Sequence, residues 1–235
     1  MILAANFKSN LTRTETKQYL EKVEAYCSEN SISDEVMIFP PASALLESSL
    51  HVKVGAQNAF GVQNGAFTGE LALDQLEEFD IDTILIGHSE RRHVLGESQE
   101  LIAEKFAFYK ERGFRIIYCI GEPLEVRENG NEALLEYLNA QYKGIDLSYE
   151  HLVIAYEPVW AIGTGLTPTL EDVELIHGAI KQESKAPLLY GGSVKAQSAK
   201  SFLALDNVDG VLVGSGALNP DDFCSMIGDA QSLKQ

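Results

Sequence analysis

Positive charge is scarce in this chain: 18 Lys and Arg stand against 35 Asp and Glu, a formal net charge of -17 at pH 7. Nucleic acid and anionic membrane are therefore poor partners, because the phosphate-driven term that dominates such associations is repulsive here. Cysteine is scarce as well. Cys27, Cys119 and Cys224 lie far apart and in no C-x-x-C pattern, which argues against a disulfide framework and for reduced thiols. No apolar run approaches the ~20 residues that span a bilayer. Met1–Ala5, ahead of Asn6, is too short and lacks the basic lead of a signal peptide, so the expectation is a soluble, cytoplasmic protein. Asn10-Leu11-Thr12 matches a glycosylation sequon, which carries no weight without a secretory signal. No Pro-, Gly- or Ser-rich linker, low-complexity tract or long single-sign charge run divides the chain. Residues 1–235 are thus expected to form a single domain, with 45% hydrophobic content to fill its core.

What is present is a recurring pattern. Short apolar or β-branched runs occur at Ile2–Ala5, Val36–Phe39, Val52–Ala56, Thr83–Ile86, Phe114–Ile120, Leu152–Tyr156, Leu188–Tyr190 and Gly210–Val213, and each reads as a buried strand. Helical patterns lie between them. Leu20, Val23 and Cys27 share one face behind a Thr12/Glu15 capping box, and Val173, Ile176 and Ile180 repeat the spacing after Thr169 and Asp172. Asn219-Pro220-Asp221-Asp222 supplies a cap residue, a first-turn proline and carboxylates facing the positive end of a helix dipole. Strand-helix alternation repeated eight times implies a parallel sheet with helical crossovers. In about 250 residues it fits a closed (β/α)8 barrel, an α/β fold, better than an open doubly wound sheet. The open sheet would want G-x-G-x-x-G after the first strand, where this chain has Asn6-Phe7-Lys8.

In such a barrel, reactive residues belong at the carboxyl ends of strands, and Lys8, His88, Glu157, Ser193 and Gly214 all fall there. Tyr156-Glu157-Pro158-Val159-Trp160-Ala161-Ile162-Gly163-Thr164-Gly165 sets a carboxylate at a strand end, directly before a loop able to fold over it. A base so placed suits proton abstraction away from water; the plain alternative is a solvated loop carboxylate. His88 follows another strand and precedes a helix start, whose dipole opposes a positive charge and favours the neutral imidazole; a satisfied core histidine is the commoner fate. His88, Glu90 and His93 do not match H-E-x-x-H, and the two histidines are off a shared helical face, so no metal site is expected. Lys8 is the fixed positive charge, with Asn6 two residues earlier expected to point to the same face; otherwise it is a snorkelling surface lysine. Turns at Gly163, at Tyr190-Gly191-Gly192-Ser193 and at Gly214-Ser215-Gly216 let backbone N–H groups approach an anion closely. Each alone is explained as well by a tight turn.

Taken in order and spacing, Asn6-Phe7-Lys8, Gly87-His88-Ser89-Glu90-Arg91-Arg92, Tyr156–Gly165, Tyr190–Ser193 and Gly214–Gly216 resemble the triosephosphate isomerase family, from Ala4 to Leu218. The resemblance implies an isomerase of glycolysis and gluconeogenesis. It would interconvert dihydroxyacetone phosphate and D-glyceraldehyde 3-phosphate through an enediolate, without cofactor or metal. It implies Glu157 as the base and His88 as the electrophile that shuttles protons between enediolate oxygens. Lys8 would stabilise the developing charge and steer the phosphate, with Asn6 and Glu90 positioning it. The phosphate would be bound by the amides of Gly163, Ser193, Gly214 and Ser215. The lid would run Pro158, Val159, Trp160, Ala161, Ile162, Gly163, Thr164, Gly165, Leu166, Thr167, Pro168, with Ile162 and Leu212 clamping apolar surface over Glu157 and raising its basicity by desolvation. Gln57-Asn58 and the Gly65–Glu70 loop resemble the segment that enters a partner subunit, implying a homodimer. Departures from the family pattern are Phe7 for a tryptophan, Ser9 for a bulkier apolar residue, Pro168 in the second hinge, Pro187 for an arginine, and Gly214-Ser215-Gly216 for Gly-Gly-Ala. Two rival functions remain: a phosphate-binding lyase or aldolase, which needs a lysine able to become neutral, and a barrel that binds sugar phosphate without turning it over.

Overall fold

The computed structural model describes residues 1–161 and 166–234. Among these, eight strands alternate with helices: β1 (Ile2–Asn6), β2 (Glu35–Phe39), β3 (Val52–Val54), β4 (Thr83–Ile86), β5 (Arg115–Ile120), β6 (Leu152–Tyr156), β7 (Leu188–Tyr190) and β8 (Gly210–Val213). The α-helices among the described residues are α1 (Arg13–Glu29), α2 (Leu73–Glu77), α3 (Ser89–His93), α4 (Gln99–Lys110), α5 (Leu124–Arg127), α6 (Asn131–Ala140), α7 (Leu170–Glu183), α8 (Ala196–Leu203) and α9 (Pro220–Ser232).

Every ladder is parallel, and the strands follow the order β3-β2-β1-β8-β7-β6-β5-β4. The two ends of that order meet. Ala56 bridges to Ile84, its N–H donating to the Thr83 carbonyl and its carbonyl accepting from the Leu85 N–H, both at 2.9 Å. The result is a (β/α)8 barrel, as the alternating pattern implied. The third strand stops at Val54, two residues short of the sequence reading. Gly55 still donates to Ile38 on β2, but Ala56 turns to β4, so the chain changes partner across the seam and the ladder with β2 ends.

Alternate residues of each strand face opposite sides. Ile2, Ala4, Met37, Phe39, Leu85, Ile117, Val153 and Leu189 fill the barrel interior. Leu3, Ala5, Val36, Ile38, Ile84, Ile116 and Ile154 pack outward against the helices. Both faces are covered, which is why the strands read as continuous apolar runs rather than alternating ones. The helices begin where their caps predict. Thr12 accepts from the Glu15 N–H at 3.4 Å while Glu15 takes the Thr12 N–H at 2.7 Å, Thr169 and Asp172 repeat the exchange, and Asn219 accepts from the Asp221 N–H at 2.9 Å.

One polar group in the outer core has a consequence for acid stability. His177 on α7 is fully buried, bonded through Nδ1 to the Asn207 carbonyl at 3.0 Å and edge-on to the Tyr156 ring, with Nε2 lacking a partner. Burial pushes its pKa down to about 4. An unfolded histidine protonates near ~6.5, so the unfolded chain binds the extra proton first as pH falls. Stability present above ~6.5 is lost progressively towards pH 4, by about 3 kcal/mol from this group. His177→Asn keeps a donor for the Asn207 carbonyl and should flatten that acid limb in denaturation midpoints taken from pH 7 down to pH 4; a limb as steep as the wild type's would show that His177 does not set it.

Candidate active site

Because all strands run the same way, residues just past their carboxyl ends share one mouth. A cavity of about 420 Å³ opens there and is lined by Asn6, Lys8, His88, Glu157, Ser193, Gly214 and Ser215, together with Leu212. The residues expected from strand ends thus come together, except Gly163, which with Ile162, Thr164 and Gly165 of the expected lid lies outside the described residues. The charge balance is local: Lys8 supplies a cation at the mouth of a chain that is strongly anionic as a whole.

Lys8 arrives by a different route from simple strand alternation. β1 ends at Asn6, and Lys8 adopts a left-handed backbone with φ of 53°, a conformation that costs a non-glycine residue roughly 1–3 kcal/mol and persists where its surroundings enforce it. The enforcement is visible. The Asn6 side chain accepts the Lys8 N–H at 3.0 Å, Gln57 donates to the Lys8 carbonyl at 2.8 Å, and Lys8 Nζ meets Glu90 Oε1 at 2.5 Å. A lysine paired with a carboxylate is the opposite of the desolvated amine that Schiff-base chemistry needs.

His88 caps α3. Its Nδ1 accepts the Glu90 N–H at 3.2 Å, and since that N–H can only donate, the ring proton of the neutral tautomer sits on Nε2. Nε2 lies 3.1 Å from Glu157 Oε1. Glu157, just past β6, is buried, and its Oε2 accepts the Ser89 N–H at 3.1 Å. Gly191 makes room for it: a Cβ there would lie 2.8 Å from Glu157 Cγ, so glycine is required by close approach.

The electrostatics run opposite to the sequence expectation for both groups. Burial raises the pKa of Glu157, but His88, the Ser89 N–H and Lys8 together outweigh it, and the carboxyl is held below its ordinary range. Burial likewise disfavours the His88 cation, yet the Glu157 charge against Nε2 outweighs it and moves the histidine up. Burial acts in the expected direction on each group; the pairing of the two residues, which no local pattern encodes, reverses both outcomes.

The segment expected to form the lid's first hinge is held from below. Val159–Ala161 forms a 3-10 turn, Trp160 Nε1 donates to Glu122 Oε1 at 2.8 Å, Tyr156 donates to the same oxygen at 3.1 Å, and the Val159 N–H donates to the Glu122 carbonyl at 3.0 Å. Ser193, expected to face a phosphate, donates to the Ala161 carbonyl at 2.5 Å. At the far end, Leu166 and Thr167 are exposed and Pro168 is buried, directly before the Thr169 cap of α7. Glu122 was missed in the sequence reading. Its signal was available: Gly121-Glu122-Pro123 after β5 places a Glu-Pro pair at a strand end, as Glu157-Pro158 does after β6.

A family model described as triosephosphate isomerase matches residues 1–230. The chain belongs to the triosephosphate isomerase family. A triosephosphate isomerase from Sulfurimonas denitrificans is 61% identical over 99% of this chain and 97% of that protein. One from a Sulfurovum species is 55% identical over 97% of this chain and 99% of its own length, and one from Helicobacter pylori is 50% identical over 96% and 97%. Phe7 is fully buried and stands edge-on to Tyr19 with ring centroids 4.6 Å apart, so this position carries an aromatic packing role.

Proposed function

We propose that this chain interconverts dihydroxyacetone phosphate and D-glyceraldehyde 3-phosphate, a step of glycolysis and gluconeogenesis, by proton transfer through an enediolate. The observation that carries the site assignment is the buried contact between Glu157 and Nε2 of His88, with Lys8 at the same mouth.

Glu157 acts as the base. It takes a proton from the carbon next to the carbonyl and returns it to the neighbouring carbon. For this the substrate must displace the carboxylate from His88 and Ser89. That displacement removes the His88 and Ser89 contacts that depress its pKa, leaving burial, which makes it more basic, opposed by the Lys8 charge. The same exchange acts on His88. Once a substrate oxygen replaces Glu157 at Nε2, burial and Lys8 favour the neutral ring, a donor that can protonate one enediolate oxygen and recover the proton from the other. Lys8 stabilises the negative charge that develops on those oxygens. Amides around Ser193, Gly214, Ser215 and Gly163 hold the phosphate, whose binding energy draws the lid shut over the reacting carbons.

The reading extends to the assembly: a single-domain subunit, working in the cytoplasm as a homodimer through the Gly65–Glu70 loop. Two features support the dimer. Phe67 at the loop tip is 41% exposed although packed at a tilt against Phe60, and Gln57, at the root of the same segment, holds the Lys8 carbonyl. Dilution should lower specific activity if the partner loop supports Lys8; activity constant down to a concentration where sedimentation shows monomer would remove the dimer from the mechanism. The function itself is tested by solvent deuterium exchange into dihydroxyacetone phosphate alongside a coupled turnover assay. Absence of both exchange and turnover in folded protein overturns it.

A further inference from the structure

Beneath the mouth, one run of hydrogen bonds joins the strand ends that carry His88 and Glu157. Arg92 on α3 donates Nε–H to the carbonyl of Gly87, the residue before His88, at 2.7 Å. Its Nη2 reaches the Tyr118 hydroxyl at 2.8 Å and the Cys119 carbonyl at 3.2 Å on β5, and its Nη1 reaches Gln99 Oε1 at 2.7 Å. Gln99 donates in turn to the backbone carbonyl of Gln141 at 2.8 Å, and the Tyr118 hydroxyl donates to that same carbonyl.

Gln141, just after α6, is buried, and its side chain faces the end of β5. Oε1 accepts the Gly121 N–H at 3.1 Å and Nε2 donates to the Gly121 carbonyl at 2.8 Å. One side-chain amide thus takes both backbone polar groups of a single residue, as a neighbouring strand would. Gly121 lies against the backbone of Glu157: a Cβ at position 121 would stand 1.7 Å from the Glu157 carbonyl oxygen. On either side, the Glu157 N–H donates to the Ile120 carbonyl at 2.7 Å and the Val159 N–H to the Glu122 carbonyl at 3.0 Å. Residues 120–122 therefore cradle the backbone of the base and of the lid hinge, and Gln141 fastens the cradle to the network that holds Gly87.

We infer that Gln141 is a positioning residue for Glu157, setting the register between the β6 end that carries it and the β4 end that carries His88. This inference rests on the proposed isomerase reading. Among the described residues, the turns after β7 and β8 proposed to hold the phosphate share no hydrogen bond with Arg92, Gln99, Tyr118, Gln141 or Gly121, so the role predicts a loss in kcat rather than in KM. Misplacement of a reacting group by about 1 Å costs up to ~10²-fold, and losing one strap of several should cost about tenfold.

The test uses Gln141→Leu and Gln141→Glu in the full chain. Gln141→Leu removes both bonds at similar size and should lower kcat about tenfold at every pH, with KM for glyceraldehyde 3-phosphate within about threefold of wild type. Gln141→Glu sets a carboxylate against the Gly121 carbonyl when ionised but regains the donor when protonated, so its kcat relative to wild type should recover as pH falls. A folded Gln141→Leu with kcat within about twofold of wild type overturns the inference, as does a Gln141→Glu profile parallel to the wild type's. If Gln141→Leu fails to fold, the Gln141→Glu profile decides. Wild-type protein inactive in the same assay would overturn the isomerase reading instead, so the two failures are distinguishable.

Discussion

Lys8→Met should fold normally and be nearly inactive. Methionine keeps most of the stem and removes only the ammonium that meets Glu90 at 2.5 Å. That pair is partly open to solvent, with 24% and 45% of the two side chains exposed, and pairs of this kind contribute at most about 1 kcal/mol to folding. Catalysis should respond differently. In the proposed role the ammonium is preorganised where charge develops on the enediolate, and removing such a group costs about 3–4 kcal/mol, or ~10²–10³-fold in kcat. Binding should suffer too, because Glu90 is left unpaired beside a site meant for a dianion in a chain of net charge -17. The expected result is therefore a large fall in kcat and a raised KM with the melting temperature nearly unchanged. Near-normal turnover in a folded Lys8→Met protein would remove Lys8 from the mechanism.

Glu157→Asp should cost ~10²-fold or more in turnover, with a matching loss of solvent deuterium exchange. Shortening by one methylene withdraws the carboxylate from a site with contacts on several sides: His88 Nε2 at 3.1 Å, the Ser89 N–H at 3.1 Å, and Gly191 packed so closely that it has no room for a side chain. The backbone cannot advance to compensate, since residues 120–122 and the Gly191 N–H hold it by hydrogen bonds at 2.7–3.0 Å. Turnover within threefold of wild type would exclude Glu157 as the base.

Much of this arrangement is legible in the sequence. The strand ends at Asn6, Ile86, Tyr156, Tyr190 and Val213 follow from apolar runs closed by Gly, Pro or polar residues, and parallel topology then obliges their loops to share a mouth. The caps of α1, α7 and α9 could be read because capping is a contact between residues three or fewer apart. The left-handed turn at Lys8 could not. Nothing in Asn6-Phe7-Lys8 announces a positive φ on a lysine; besides Asn6 it is enforced by Gln57 and Glu90, both remote in sequence.

The chain's own pattern of apolar runs, caps and strand-end residues determined the barrel, the face that carries the chemistry and the identity of the groups gathered there, because each is a local or periodic property. Only the tertiary structure decided that Glu157 rests against His88 so that both titrate opposite to their isolated tendencies, that Glu122 holds Trp160, and that Gln141 stands in for a strand partner at Gly121. Those outcomes depend on distances of about 3 Å between residues far apart in the chain, where electrostatic and hydrogen-bond energies change steeply with separation.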